Sequence, residues 1–189
     1  EAATMDLVEL HHAGAPGNAH VVAQLHRGEL SWTAKNLPKK LSGLFRPELP
    51  PAVQPDWRGV RVYEVQPEGP TVMVEDAPES VSPSDPTSLE NFLAWGMKEY
   101  PAEHYAVVLG GHGSRKGLLS DSKGDVMPFE KVSESLQRAA AKSGEDIDVV
   151  LFDSCSTASP ETAEKMCGAT DFLVATPFKT RGQGWSEKA

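Results

Sequence analysis

At 189 residues the chain has the length of one domain and can bury a sizeable core. Eighteen Lys and Arg against 27 Asp and Glu give a formal charge of −9, which argues against nucleic acid or an anionic membrane as the main partner. No basic run and no long apolar stretch occurs, so there is no membrane span, and two cysteines cannot build a disulfide framework.

No signal peptide is visible, and Glu1 in place of Met reads as a chain shortened at its start. Residues 4–13 space Met5, Val8 and His12 as on a helix, then stop at Gly14-Ala15-Pro16-Gly17. His11 and His12 are adjacent and so face different ways on a helix; without a partner at ligand spacing they read as a solvated helix end. Ala19–Leu25 reads as a first core strand. Residues 29–57 are Pro-rich and weakly periodic, an insertion of unknown role. Arg58–Gln66 alternates through Val60, Val62 and Val65, and with Thr71–Glu75 predicts a hairpin through Pro67-Glu68-Gly69-Pro70. Asp76–Asp85 reads as a loop. Thr87 with Glu90 reads as a capping box for a helix with the stripe Leu89, Phe92, Leu93, Met97, ended by Pro101.

Two apolar runs follow, Tyr105–Leu109 and Val149–Phe152. The first stops at Gly110-Gly111-His112-Gly113-Ser114 and the second at Asp153-Ser154-Cys155-Ser156. Between them Ser114–Asp125 reads as a mobile loop. Pro128 then opens a helix with the stripe Phe129, Val132, Leu136, Ala139, ended by Gly144. After the cysteine, Ser159 and Pro160 open a short helix that Gly168 closes, with Cys167 read as a small buried hydrophobe on it. Phe172–Ala175 reads as the next strand.

Short β-branched runs joined by a helical crossover predict a parallel pair. Sites in such sheets lie beyond the carboxyl ends of the strands. His112 after one end and Cys155 after the next are therefore a candidate base and nucleophile. A thiol attacks as thiolate, so a base or a positive field must remove its proton; His112 supplies the base, and the helix opening near Ser159 adds a positive dipole end. The oxyanion of an acyl-transfer intermediate needs N–H donors, and those of Gly113 and Cys155 are the natural pair. Asp121 and Asp125 stand as orienters between which nothing selects. The bland alternatives are a buried cysteine at a strand end, a turn histidine, and Asp153 as a turn cap.

HYAVVLGGHGS and DVVLFDSCSTASPETAEKM resemble the two active-site segments of clostripain-like cysteine peptidases, and more distantly those of caspases, gingipains and separase. Asn18–Gln24, Ser88–Pro101 and Phe172–Trp185 extend the likeness. The resemblance implies an α/β fold, a caspase-like three-layer α/β/α sandwich with a mostly parallel central sheet, in one peptidase domain over residues 1–189 that is shortened at both ends. It implies a cysteine endopeptidase with a Cys155–His112 dyad and no cofactor needed for the chemistry. Self-cleavage at Arg115, Lys116 or Lys123 is also implied, and calcium enters as an option through Asp121, Ser122 and Asp125. Asp153 and Thr176 fall at the S1 pocket, where the carboxylate would select Arg or Lys by a charge-assisted bond. Protein or peptide substrates follow, and a secreted or extracytoplasmic setting is favoured. Lys35, Lys39, Lys40 and Arg46 give the 29–57 insertion a second reading, as a processing or regulatory loop.

The chain departs from the pattern in two places. Lys179 and Arg181 stand where the family usually has acidic residues, and Asp-Ser-Cys-Ser-Thr replaces the more frequent Asp-Ala-Cys-Leu-Met. Two other classes stay open: a catalytically weak relative kept as a binding or regulatory domain, and another thiol acyl-transfer enzyme. The second lacks G-x-G-x-x-G and phosphate-binding loops.

Overall fold

The two apolar runs form neighbouring strands. In the computed structural model, which describes residues 2–27, 58–67, 72–77, 81–121 and 123–179, β4 (Ala106–Gly110), β7 (Val149–Asp153) and β8 (Phe172–Val174) pair in the order β4-β7-β8. Both pairings are parallel, with Ala106 opposite Val149 and Gly110 opposite Asp153, and Val149 opposite Phe172. These strands lie in the larger of two compact units, formed by residues 1–3 and 81–189; residues 4–80 form the other.

Among the described residues after Val81, the larger unit holds α2 (Pro86–Glu99), α3 (Phe129–Ser143) and α4 (Pro160–Met166). The apolar stripes read from the sequence face one core. Leu89, Leu93 and Met97 from α2 meet Phe129, Val132, Leu136 and Ala139 from α3 over Leu109, Val150 and Phe152 of the strands. Phe129 stacks on Phe152 with ring centroids 5.6 Å apart. Residues alternate across a strand, and the alternate set on the same sheet is open: Val108 is 64% and Phe172 67% exposed.

Glu90 ties α2 to α3. It is almost fully buried and pairs with Lys142 at 2.6 Å and Arg138 at 3.6 Å. The Lys142 hydrogen bond outweighs burial and, with Arg138, holds the Glu90 carboxyl below the usual carboxylate range. This role displaces the capping box. The N-cap of α2 is Asp85, not Thr87; the Asp85 side chain accepts from the Thr87 N–H at 2.9 Å, and Pro86 takes the first helical position. Asp reaches the orphan N–H groups as well as Thr does, and Pro has no N–H to lose there.

The segment between His112 and α3 is partly ordered, a correction to the mobile-loop reading. β5 (Gly117–Leu118) pairs antiparallel with β6 (Met127–Pro128), and Leu118 and Met127 are fully buried. Two apolar anchors in an otherwise polar stretch hold it to the core. A second correction concerns Cys167: it sits at the C-cap of α4 and is exposed, because the helix ends one residue before it.

The ends of the sheet differ in chemistry. At the amino ends, Asp148 accepts from the Tyr105 N–H at 2.7 Å and pairs with His104 Nδ1 at 2.8 Å, while the Tyr105 carbonyl accepts from the N–H groups of Asp148 and Val149. The carboxyl ends carry the histidine and cysteine loops.

The smaller unit holds β1 (Val21–Arg27), β2 (Gly59–Val65) and β3 (Val72–Ala77), all antiparallel in the order β1-β2-β3. The β2–β3 hairpin is present, with its tip, residues 68–71, outside the described residues. β1 lies in this antiparallel sheet and not among the parallel strands, since its seven residues pair in register with β2 from Val21–Val65 to Arg27–Gly59. Before it, α1 (Ala2–Ala13) ends at Gly14, whose φ of +69° disfavours a side chain and where an added Cβ would meet the Pro67 carbonyl oxygen at 2.7 Å. The insertion at 29–57 lies outside the described residues.

Candidate active site

The carboxyl ends of β4 and β7 continue past their last paired residues through a set of cross-links. The Gly111 N–H donates to the Asp153 carbonyl at 3.2 Å, one rung beyond the Gly110–Asp153 pair. The Ser154 hydroxyl then donates to the Gly111 carbonyl at 2.9 Å. Gly113 presses on the cysteine turn: a Cβ built there would meet the Ser154 Cβ at 2.6 Å, Thr157 Cγ2 at 3.0 Å and the Cys155 carbonyl oxygen at 3.3 Å. His112, between these two glycines, is exposed; Cys155, next to Ser154, is half-buried. The loops that carry the predicted base and nucleophile are thus in direct contact.

The turn itself is held by the segment after β8. The N–H groups of Thr157 and Ala158 both donate to the Thr176 carbonyl at 2.9 Å, and that of Ser156 to the Phe178 carbonyl at 2.9 Å. Thr176 Oγ1 accepts from the Phe178 N–H at 3.2 Å. Ser156 takes φ of +55°, a left-handed conformation uncommon outside glycine and frequent where a chain reverses at a site. Thr157 is fully buried and its hydroxyl donates to the Ser154 carbonyl. Gly113 has no hydrogen bond from its N–H to any described residue.

α4 starts immediately after this turn. Ser159 is its N-cap and accepts from the Thr162 N–H at 3.1 Å, with Pro160 first in the helix, as the sequence predicts. Glu161 in its first turn is held below the usual carboxylate range by its own N–H and the Ser159 hydroxyl, with Arg115 and Lys165 adding a smaller attraction.

Asp153 and Thr176, the expected S1 residues, are both half-buried, and the Asp153 Oδ1 atom is shielded from solvent. Asp153 is the last residue of β7, and Thr176 lies beside the cysteine turn through the bonds above. Lys179 is exposed, and Arg181 lies outside the described residues. Asp121 is engaged by its own neighbours. Its Oδ1 accepts from the N–H groups of Lys123 and Asp125, and its Oδ2 from the Ser82 hydroxyl at 3.2 Å. Asp125 is exposed. Among the described residues, no group of three or more His, Cys, Asp or Glu side chains is placed to hold a metal ion, and no helix is long and apolar enough to cross a membrane.

Sequence reasoning missed the Ser154–Gly111 bond. No periodicity signals it; Ser154 drew notice only as a departure in the cysteine motif.

Comparison with known proteins places this geometry. No curated protein sequence matches the chain. Solved structures do. An inactive zymogen C11 protease from Parabacteroides distasonis superposes with a TM-score of 0.55 at 21% identity, covering 66% of this chain and 36% of that one. A secreted C11 cysteine protease from Bacteroides thetaiotaomicron, in complex with an irreversible peptide inhibitor, gives 0.56 at 21% identity, covering 66% and 37%. A further structure of a secreted Bacteroides thetaiotaomicron C11 protease, iotapain, gives 0.53 at 18%, covering 66% and 40%. The chain therefore spans well under half the length of these structures, and at such identities they share its fold over the matched part. The sequence model of the clostripain family matches residues 61–188, more than half of the chain and both strand-end loops. The chain belongs to the clostripain family.

Proposed function

We propose that this chain carries the catalytic core of a cysteine endopeptidase. The observation that carries the reading is the contact between the two loops: Gly111 bonded to Asp153 and Ser154, and Gly113 packed on Ser154 and Thr157, with His112 between the glycines and Cys155 beside the serine. In this reading His112 takes the Cys155 proton, and the thiolate attacks the scissile carbonyl. The carbonyl π electrons move to oxygen, and the N–H groups of Gly113 and Cys155 receive the oxyanion. Collapse expels the amine, protonated by His112, and leaves a thioester that water hydrolyses with His112 again as base. The inhibitor complex of the Bacteroides thetaiotaomicron protease supports peptides as substrates.

Asp153 selects a basic P1 side chain. A half-buried carboxylate outweighs Lys179, whose exposed ammonium on a long stem interacts weakly. The fold in this reading is a three-layer sandwich with a mostly parallel central sheet. The apolar open face at Val108 and Phe172 supports a second covering layer, because parallel sheets are covered on both faces. Residues 1–189 then form one peptidase domain, and the secreted relative supports an extracytoplasmic setting. Self-processing between the two motifs fits the zymogen relative. Asp121 already accepts three hydrogen bonds from its neighbours, and no step of the reaction runs through a calcium ion.

Profiling cleavage of a diverse peptide library, with Cys155→Ala as control, tests the reading. Cleavage lost in the variant supports it; the same cleavage by the variant, or none by a wild type that an electrophilic peptide also fails to label, overturns it.

A further inference from the structure

A covalent and hydrogen-bonded route between His112 and Cys155 runs through Gly111 and Ser154. Ser154 is 1% exposed, so it is not a surface for substrate. Its hydroxyl donates to the Gly111 carbonyl at 2.9 Å, and the Gly111 N–H donates to the Asp153 carbonyl at 3.2 Å. Gly111 is thus held at both its N–H and its C=O by two successive residues that lead into Cys155. It sits at φ of +135°, a conformation open to glycine and to few other residues, with no side chain of its own to hold it there.

We propose that Ser154 is a positioning residue for His112. The rungs of β4 and β7 are backbone bonds and end at Gly111. The Ser154 hydroxyl adds the next rung with a side chain, at the point where the parallel ladder has no further backbone partner. A peptide unit is planar, so fixing the Gly111 carbonyl oxygen also fixes the His112 nitrogen and Cα. Backbone rotation at that histidine is then left to its own dihedrals. Gly113, pressed on the Ser154 Cβ, holds the far side of His112. One serine therefore grips the histidine loop from both flanks and is covalently next to the nucleophile. Loss of the hydroxyl takes the Ser154 donor from the Gly111 carbonyl and lets the peptide plane turn.

The inference rests on the reading of His112 and Cys155 as a catalytic pair. The expected result for Ser154→Ala is a fall in kcat of about 10–100-fold, the scale of a misplacement near 1 Å, with KM within about twofold of wild type. Alkylation of Cys155 by iodoacetamide should slow as well. In a His112→Ala background the same substitution should change alkylation less than twofold, because no imidazole is left to misplace. Assays run at a temperature where circular dichroism matches wild type, and Ser154→Gly carries the comparison if the alanine variant is unfolded there.

Wild-type kcat in folded Ser154→Ala, or an equal loss with and without His112, overturns the inference. If His112→Ala itself leaves turnover and alkylation unchanged, the catalytic reading falls first and this one with it. A loss in Ser154→Ala that disappears in the His112→Ala background supports both.

Discussion

Gly113 and Ser154 approach so closely that a methyl group on the glycine would meet the serine Cβ at 2.6 Å. The neighbours are a strand end and a fully buried threonine, Thr157, neither of which can swing aside. Gly113→Ala must push the histidine loop off the cysteine turn. The expected cost is about 1–3 kcal/mol of stability, the usual range for overpacking. Labelling of Cys155 by a peptide electrophile should fall with it, read alongside a thermal melt. Unchanged labelling and melting would mean that the two loops are not in contact in solution.

Removing the nucleophile and the base should have unequal effects. Cys155→Ala is expected to abolish peptide cleavage, because no other atom at that position can form the thioester. His112→Ala should lower turnover by about 10²–10⁴-fold, the share usual for general acid–base help. Initial rates on the best library peptide measure both. A histidine variant within tenfold of wild type would remove His112 from the mechanism.

Specificity should turn on Asp153. Asp153→Ala is expected to lower kcat/KM for Arg and Lys substrates far more than for neutral ones, since the carboxylate forms a charge-assisted bond only with a cation. Paired assays with Arg-P1 and Leu-P1 peptides decide it. An equal loss on both would assign Asp153 to the turn and not to the pocket.

Asp148 gives a stability prediction with a defined sign. The Tyr105 N–H first, and the His104 ring second, hold its carboxyl below the ordinary value of 3.8 in the folded chain. A carboxyl depressed on folding stabilises above its unfolded value, and that contribution fades as pH falls through the lower folded value. Asp148→Asn should therefore melt below wild type at neutral pH, and the gap should close below pH 3.8. Melting curves from neutral pH into acid test this; a gap that widens in acid would contradict it.

Self-processing should fall between the two motifs, at Arg115, Lys116 or Lys123, all three exposed. Intact-mass measurement of wild type and Cys155→Ala shows it: a cut after one of these residues in the first and a single mass in the second is expected, while one identical mass in both would contradict it.

The parallel pair, the crossover helix and the two loops were legible because each has a local signature: β-branched runs, a 3.6-residue stripe, Gly and Pro at the stops. Ser159 and Pro160 cap α4 as read, since capping is decided within four residues. The sequence misled where two local solutions compete. Asp85 and Thr87 are both good caps, and only the tertiary pull of Lys142 and Arg138 on Glu90 settles which one is used. Cys167 follows the last residue of α4 and is exposed, off the face that buries Thr162 and Met166. β1 looks like any core strand, because pairing partner and direction are nonlocal and leave no trace in seven residues. The Ser154 cross-link was invisible for the same reason: its acceptor lies beyond the end of another strand.

Thr176 and Phe178 supply the carbonyls that close the cysteine turn, and both lie downstream of the nucleophile. A ribosome delivers the chain from its amino end, so Cys155 emerges before the residues that shape its turn. Until β8 has been synthesised and has zipped onto β7, Ser156, Thr157 and Ala158 have water as their acceptor and the left-handed bend at Ser156 has nothing to hold it. The nascent thiol is therefore unshaped through that interval. The order of translation alone delays the shaping of the cysteine turn until residues 176–178 have emerged.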